Sequence, residues 1–168
     1  KNIILERLPA TLLLMGTSQL LLFLVTVSLA LAVSRHYGSA WDKIIVAMSP
    51  TSSIPPWFYG IFLVLIFAAW LKILPFDGMV DAPPPPTKWE YFLNVLKHLI
   101  LPAGSLFISG FFINTYSWRT FFLIYSSEDY VDMAKAKGLS DRAIERRYIL
   151  RPTMPSIITS FALLLVGI

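Results

Sequence analysis

Seven of the fourteen basic residues in this 168-residue chain fall in one stretch: Arg119, Lys135, Lys137, Arg142, Arg146, Arg147 and Arg151. Glu128, Asp129, Asp132, Asp141 and Glu145 are interleaved with them, making this the densest array of ionisable groups in the sequence. Such an array offers recognition chemistry: charge-paired docking of a soluble partner, or attraction to anionic headgroups. Bond-making chemistry has no comparable candidates. The chain contains no GxxxxGK[ST] phosphate loop, no HExxH and no GxSxG. His36 and His98 are far apart in sequence, and cysteine is absent, which excludes a disulfide scaffold or a zinc ribbon.

The elements that must position this array are apolar. Hydrophobic residues make up 56% of the chain and charged residues 14%, against about a quarter in an ordinary soluble domain. Residues 9–33, 44–71, 99–118 and 153–168 contain no Asp, Glu, Lys, Arg or His. About 20 apolar residues in a helix cross the hydrocarbon of a bilayer, so these stretches predict four membrane spans. Tyr37, Trp41, Trp57, Trp70, Trp89 and Trp118 lie near their ends, where interfacial aromatics sit. Core helices of a soluble bundle would keep a polar face, which these stretches lack. The expected fold is an all-α polytopic transmembrane helical bundle, with the lipid bilayer as its solvent.

The net charge of +4 then bears on orientation, and no nucleic-acid partner is expected. Residues 34–43 and 119–152 share one side of the membrane and carry nine basic residues; the opposite side carries five, among them Lys1 and Arg7. The positive-inside rule puts the first pair of segments in the cytoplasm. The outer loop, 75–98, contains Pro83-Pro84-Pro85-Pro86, a stiff extended segment. On this topology Lys1 begins outside, which requires an earlier, missing span or an unusual N-terminus.

Within the spans the strongest polar groups are Ser18, Gln19 and Asn114. Interhelical hydrogen bonding and contact with a substrate are both open to them. Pro50, Pro55 and Pro56 are expected to break the second span, exposing carbonyls that only protein or a water-filled path can satisfy. Ser53, Pro55 and Phe58 are thereby placed near a translocation path, with Asn114 a further candidate; a purely structural kink is the competing reading.

The cytoplasmic segment predicts two short helices. Ser126 with Asp129 is a capping-box variant, and Gly138 suits the left-handed position after a helix carrying Lys135 and Lys137 in its last turn. Ser140 caps a second helix beginning at Asp141, which is expected to end before Pro152. Met133, Ala134, Ala136 and Leu139 form a small apolar knuckle better matched to a protein groove than to a bilayer, although a helix resting on headgroups is the alternative.

These residues carry a resemblance. The run from Asp129 to Pro152, DYVDMAKAKGLSDRAIERRYILRP, resembles the cytoplasmic EAA loop of ABC importer permeases in the dipeptide/oligopeptide branch, with Asp132-Met133-Ala134 standing before Gly138. The segments Glu6-Arg7-Leu8-Pro9-Ala10-Thr11-Leu12, Ser53-Ile54-Pro55-Pro56-Trp57-Phe58 and His98-Leu99-Ile100-Leu101-Pro102-Ala103 resemble further elements of that family in the expected order. Asp132 and Met133 replace the usual acidic-Ala pair, and Arg151-Pro152 stands where many importers have Leu-Pro.

The resemblance implies the core of a type I importer permease, helices two to five of six, in a prokaryotic plasma membrane. It implies that Asp132, Met133, Ala134, Lys135, Ala136, Lys137, Gly138, Leu139, Ser140, Asp141 and Arg142 form an ATPase-coupling helix. No catalytic, cofactor or metal residue is implied in this chain; ATP and magnesium belong to cytoplasmic ABC ATPase subunits. The remaining implied partners are a second homologous permease and an extracytoplasmic substrate-binding protein. Peptides are the implied cargo. Oligosaccharides are an alternative cargo, and a non-transporting membrane anchor is the alternative from another class.

Overall fold

A computed structural model describes residues 2–167. Lys1, which enters the charge count, and Ile168, at the end of the fourth apolar stretch, lie outside the described residues, as does the side chain of Glu6. Among the described residues the chain is all-α, as its composition predicts. The helices are α1 (Asn2–Arg35), α2 (Ala40–Met48), α3 (Pro56–Leu63), α4 (Lys88–Ser126), α5 (Asp129–Ala136), α6 (Asp141–Ile144) and α7 (Arg151–Val166). A π-helical segment, Val64–Trp70, extends α3, and another, Glu145–Leu150, joins α6 to α7.

Among the described residues three helices are long and apolar enough to cross a membrane: Arg7–Arg35, Lys88–Ser126 and Asp141–Val166. Ala40–Ser53 and Pro56–Trp70 pass the same test only together, as a bent pair, giving up to four spans. At 1.5 Å per residue the 39-residue α4 is much longer than about 30 Å of hydrocarbon. Loss of charge marks where hydrocarbon begins, whereas the helix continues wherever its backbone stays paired.

The chain divides into two compact units: residues up to Leu22 with Thr51–Phe111, and Phe23–Pro50 with residues from Phe112 onward. The first unit contains the break between the paired helices. After a 3₁₀ turn at Ser49–Ser53, Pro55 is extended at φ −60° and ψ 148°, and Pro56 opens α3 where its missing N–H is no loss. The carbonyls freed there find side-chain donors. Ser109 Oγ donates to the Ile54 carbonyl at 3.1 Å, and Tyr59 Oη to the Thr51 carbonyl at 2.7 Å. A Cβ on Gly60 would lie 3.7 Å from Ser105, so small residues let α3 and α4 approach closely.

A clasp holds the proline-rich segment to α4 in the same unit. The Asp81 amide donates to Asn94 Oδ1 at 2.8 Å, and Asn94 Nδ2 donates to Asp81 Oδ2 at 2.5 Å. Beneath them the buried His98 ring places Nδ1 at 2.9 Å from the Asn94 carbonyl and Nε2 at 3.5 Å from Asp81 Oδ1.

In the second unit Phe23 meets Trp118 edge-on at 5.7 Å and Phe161 at 5.5 Å. Thr26, Thr115, Phe122 and Thr153 are fully buried, and Thr153 Oγ returns its hydrogen bond to Ile149 and Leu150 of its own helix. Two local expectations need correction here. Ser126 does not cap the next helix: it ends α4, and its hydroxyl donates to the Leu123 carbonyl at 2.8 Å. The helix starting at Asp141 does not stop before Pro152 but runs on to Val166. The wide π turn at Glu145–Leu150 lies immediately upstream of Pro152 and alters the carbonyl register that a proline ring would otherwise strike.

Candidate coupling site

The segment with the most recognition chemistry is built by one capped helix. In α5, Asp129 and Asp132 occupy the first turn and Lys135 the last, matching the helix dipole. Its C-terminus is a Schellman motif. Gly138 takes φ +74°, its amide donates to the Lys135 carbonyl at 2.9 Å, and the Leu139 amide donates to the Ala134 carbonyl at 3.3 Å. Glycine suits this position because a left-handed backbone costs other residues energy. Ser140 then opens α6 through its backbone: its carbonyl accepts from the Ala143 and Ile144 amides at 2.9 and 3.0 Å, with no side-chain cap.

The structure divides the apolar knuckle into two faces. Ala134 is buried with Val131 and Ile144, and Leu139, Tyr130, Tyr148 and Ile149 pack against that cluster. Met133 is 59% exposed, and Ala136 lies outward beside Lys135 and Lys137. Ala134 and Leu139 therefore anchor the knuckle instead of being presented by it, because the turn at Gly138 folds Leu139 back over the helix it ends. Asp132, Lys135, Lys137, Gly138, Ser140, Asp141 and Arg142 are exposed. Lys135 Nζ reaches Asp132 Oδ1 at 2.9 Å within one turn. Tyr130 stacks on Tyr148 with centroids 6.4 Å apart, and its buried hydroxyl has no hydrogen-bond partner. Burial, with smaller contributions from Glu128 and Tyr125, pushes its phenol above the ordinary value of 10.0.

Two ion pairs lie in the same unit as this knuckle. Arg35, in the last turn of α1, contacts Glu145 at 2.5 Å through Nε and 2.6 Å through its NH2 group. Between α1 and the α5–α6 turn lies a cleft of about 470 Å³ lined by Arg35, His36, Lys135, Asp141, Arg142 and Glu145, among others. The second pair is buried. Arg119 on α4 donates to Asp42 on α2 through Nε and through its NH2 group, the latter at 2.8 Å. The Gly38 amide also donates to Asp42 Oδ2, at 2.9 Å, while the Asp42 amide donates to Ser39 Oγ at 3.2 Å, and the Tyr37 ring lies 5.3 Å from the guanidinium carbon.

Asp42 and Arg119 lie just outside the uncharged stretches 44–71 and 99–118, within α2 and α4, and both are buried. Arg119 counts among loop cations in a reading by charge alone. The missed signal was Ser39-Ala40-Trp41-Asp42, a capping-box spacing that marks the start of α2 and fixes the Asp42 carboxylate near it.

Ser53, Pro55 and Phe58 gather at the break in the first unit, all exposed, with Phe58 packed against Phe62 at 4.9 Å between centroids. Asn114 lies on α4 in the second unit and is half-buried.

Residues 24–168 match the family described as binding-protein-dependent transport system inner membrane component. The chain belongs to this family. Among curated relatives, it is 27% identical over 166 residues to the inner membrane ABC transporter permease protein YejB of Escherichia coli O157:H7, covering 95% of this chain and 45% of that protein. It is 29% identical over 165 residues to the oligopeptide transport system permease protein AppB of Bacillus subtilis (strain 168), covering 98% and 51%. Against the probable D,D-dipeptide transport system permease protein DdpB of Escherichia coli (strain K12) it is 33% identical over 167 residues, covering 89% and 49%. The chain thus spans about half the length of the curated relatives it matches. Membership makes it a multi-pass membrane component of a transport system, consistent with its spanning helices.

Proposed function

We propose that this chain is the core of a permease subunit in an ATP-driven, binding-protein-dependent importer of peptides, resident in a prokaryotic plasma membrane. The observation that carries this reading is the α5–α6 knuckle. It is a short helix closed by Gly138, anchored through Ala134 and Leu139, presenting Met133, Ala136, Lys137 and Arg142 outward. A rigid protrusion continuous with a spanning helix can transmit a push as rigid-body motion. Its occupant is a cleft on a cytoplasmic ATPase subunit that binds ATP and magnesium; a second permease and an extracytoplasmic binding protein complete the assembly. The side of the membrane that carries the 75–98 loop is outside in this arrangement. Ser53, Pro55, Phe58 and Asn114 are assigned to the translocation path. Peptide cargo is supported by the names of the AppB and DdpB relatives.

The test is uptake by the complete importer, containing the full-length permease, in proteoliposomes with its binding protein. Short peptides should stimulate ATP hydrolysis and accumulate inside, and Gly138→Pro should abolish uptake while membrane insertion is retained. Stimulation by oligosaccharides instead would reassign the cargo. Normal uptake by Gly138→Pro would overturn the coupling role and favour a membrane anchor.

A further inference from the structure

The buried pair Asp42–Arg119 is more elaborate than stability requires. Burying a guanidinium and a carboxylate carries a desolvation cost, and well-packed apolar side chains of similar volume commonly do as well or better. What an apolar pair cannot do is define one orientation. The Arg119 fork binds both carboxylate oxygens, so the pair has a single geometry in rotation and in height along the helix. Asp42 cannot swing to follow a displaced partner, because the Gly38 amide holds the same carboxylate and Ser39 caps the turn it stands on. Tyr37 covers the guanidinium on a further side.

The location gives this rigidity a use. Arg119 lies two turns before Ser126, where α4 ends and the chain enters α5. Movement of the knuckle must enter α4 through that end. Resting on the coupling role proposed above, we propose that Asp42 and Arg119 are positioning residues that lock α2 to the cytoplasmic end of α4, so that displacement of the knuckle moves both helices together. The pair touches neither nucleotide nor cargo; it acts by fixing how α4 can move. Loss of the fork leaves α4 free to shift alone, and hydrolysis then proceeds without a matching amount of transport.

The measurement is the number of substrate molecules imported per ATP hydrolysed by the complete importer in proteoliposomes, with complex assembly and melting temperature recorded alongside. Two variants keep the test independent of folding. Arg119→Lys keeps the charge and loses the fork; the double variant Asp42→Leu with Arg119→Met removes both charges and leaves an apolar contact. Both should hydrolyse ATP at near the parental rate and show a ratio reduced about tenfold, within the range over which sites are usually coupled. An unchanged ratio in the assembled apolar variant overturns the proposal, whatever its melting temperature. A loss of uptake and hydrolysis in strict proportion to lost complex also overturns it, leaving the pair a structural tie. Gly138→Pro, run in parallel, separates the two readings. If it abolishes uptake while the apolar pair couples normally, only the positioning role fails. If it and the pair variants all transport normally, the coupling role fails too.

Discussion

Arg35 and Glu145, at the end of α1 and at the start of a π-helical segment, are joined by contacts of 2.5 and 2.6 Å. The Arg35 side chain is 51% exposed, so water and salt screen the pair. Arg35→Ala should cost only about 0.2–1 kcal/mol in the detergent-solubilised protein, and the loss should shrink when the melt is repeated at high salt. A large, salt-insensitive loss would show that the pair is shielded by contacts beyond those of this chain.

Asp42 and Arg119 should behave differently, because both side chains are buried. Removing one partner strands a buried charge, so Asp42→Leu or Arg119→Met alone should destabilise by about 3–5 kcal/mol. The double variant Asp42→Leu with Arg119→Met should recover most of that loss. Thermal denaturation of the four proteins, analysed as a double-mutant cycle, checks the expected non-additivity.

At Gly138 the constraint is conformational and not spatial. No atom lies within 4 Å of where a Cβ would stand, yet φ is +74°. Gly138→Ala should therefore cost about 1–2 kcal/mol through backbone strain, and Gly138→Asn less, since asparagine tolerates this region. Ranking the melting temperatures as Gly, then Asn, then Ala confirms this; equal values for Ala and Gly would contradict the left-handed assignment.

Tyr130 presents an opportunity to stabilise the knuckle. Its hydroxyl is buried without a partner, so Tyr130→Phe should be neutral or gain about 1 kcal/mol. The pH dependence has a definite sign. Burial raises the folded phenol above 10.0, so the unfolded chain ionises first, and stability falls as pH rises through the interval between the two values. Tyr130→Phe removes that loss, and its alkaline unfolding midpoint should move to higher pH.

Ser109 tests the broken span. Its hydroxyl satisfies the Ile54 carbonyl at the proline break, and Ser109→Ala removes that donor. Hydrogen bonds between membrane helices average about 0.6 kcal/mol, so a stability loss of that order, read as a small drop in melting temperature, is expected, with Ser109→Thr closer to the parent. No shift would mean that another group replaces the donor.

The sequence by itself determined that this is an all-α, multi-pass membrane chain, because long uncharged stretches leave the backbone no partner except its own helix. Local chemistry was equally legible. Pro55 and Pro56 mark a break through their missing donors, and Gly138 marks a left-handed turn through its missing Cβ. The tertiary structure alone decided which distant groups meet. Asp42 and Arg119 are 77 residues apart, and nothing local to either reveals that α2 and α4 are neighbours. It also decided that Ala134 turns inward while Met133 turns outward, since one helical stripe can face either an internal cluster or a partner. The helix also continues past Pro152: a proline stops a regular helix, but a π turn just before it shifts the hydrogen-bond register, and Tyr148 and Ile149 of that turn pack against the cluster that contains Ile144.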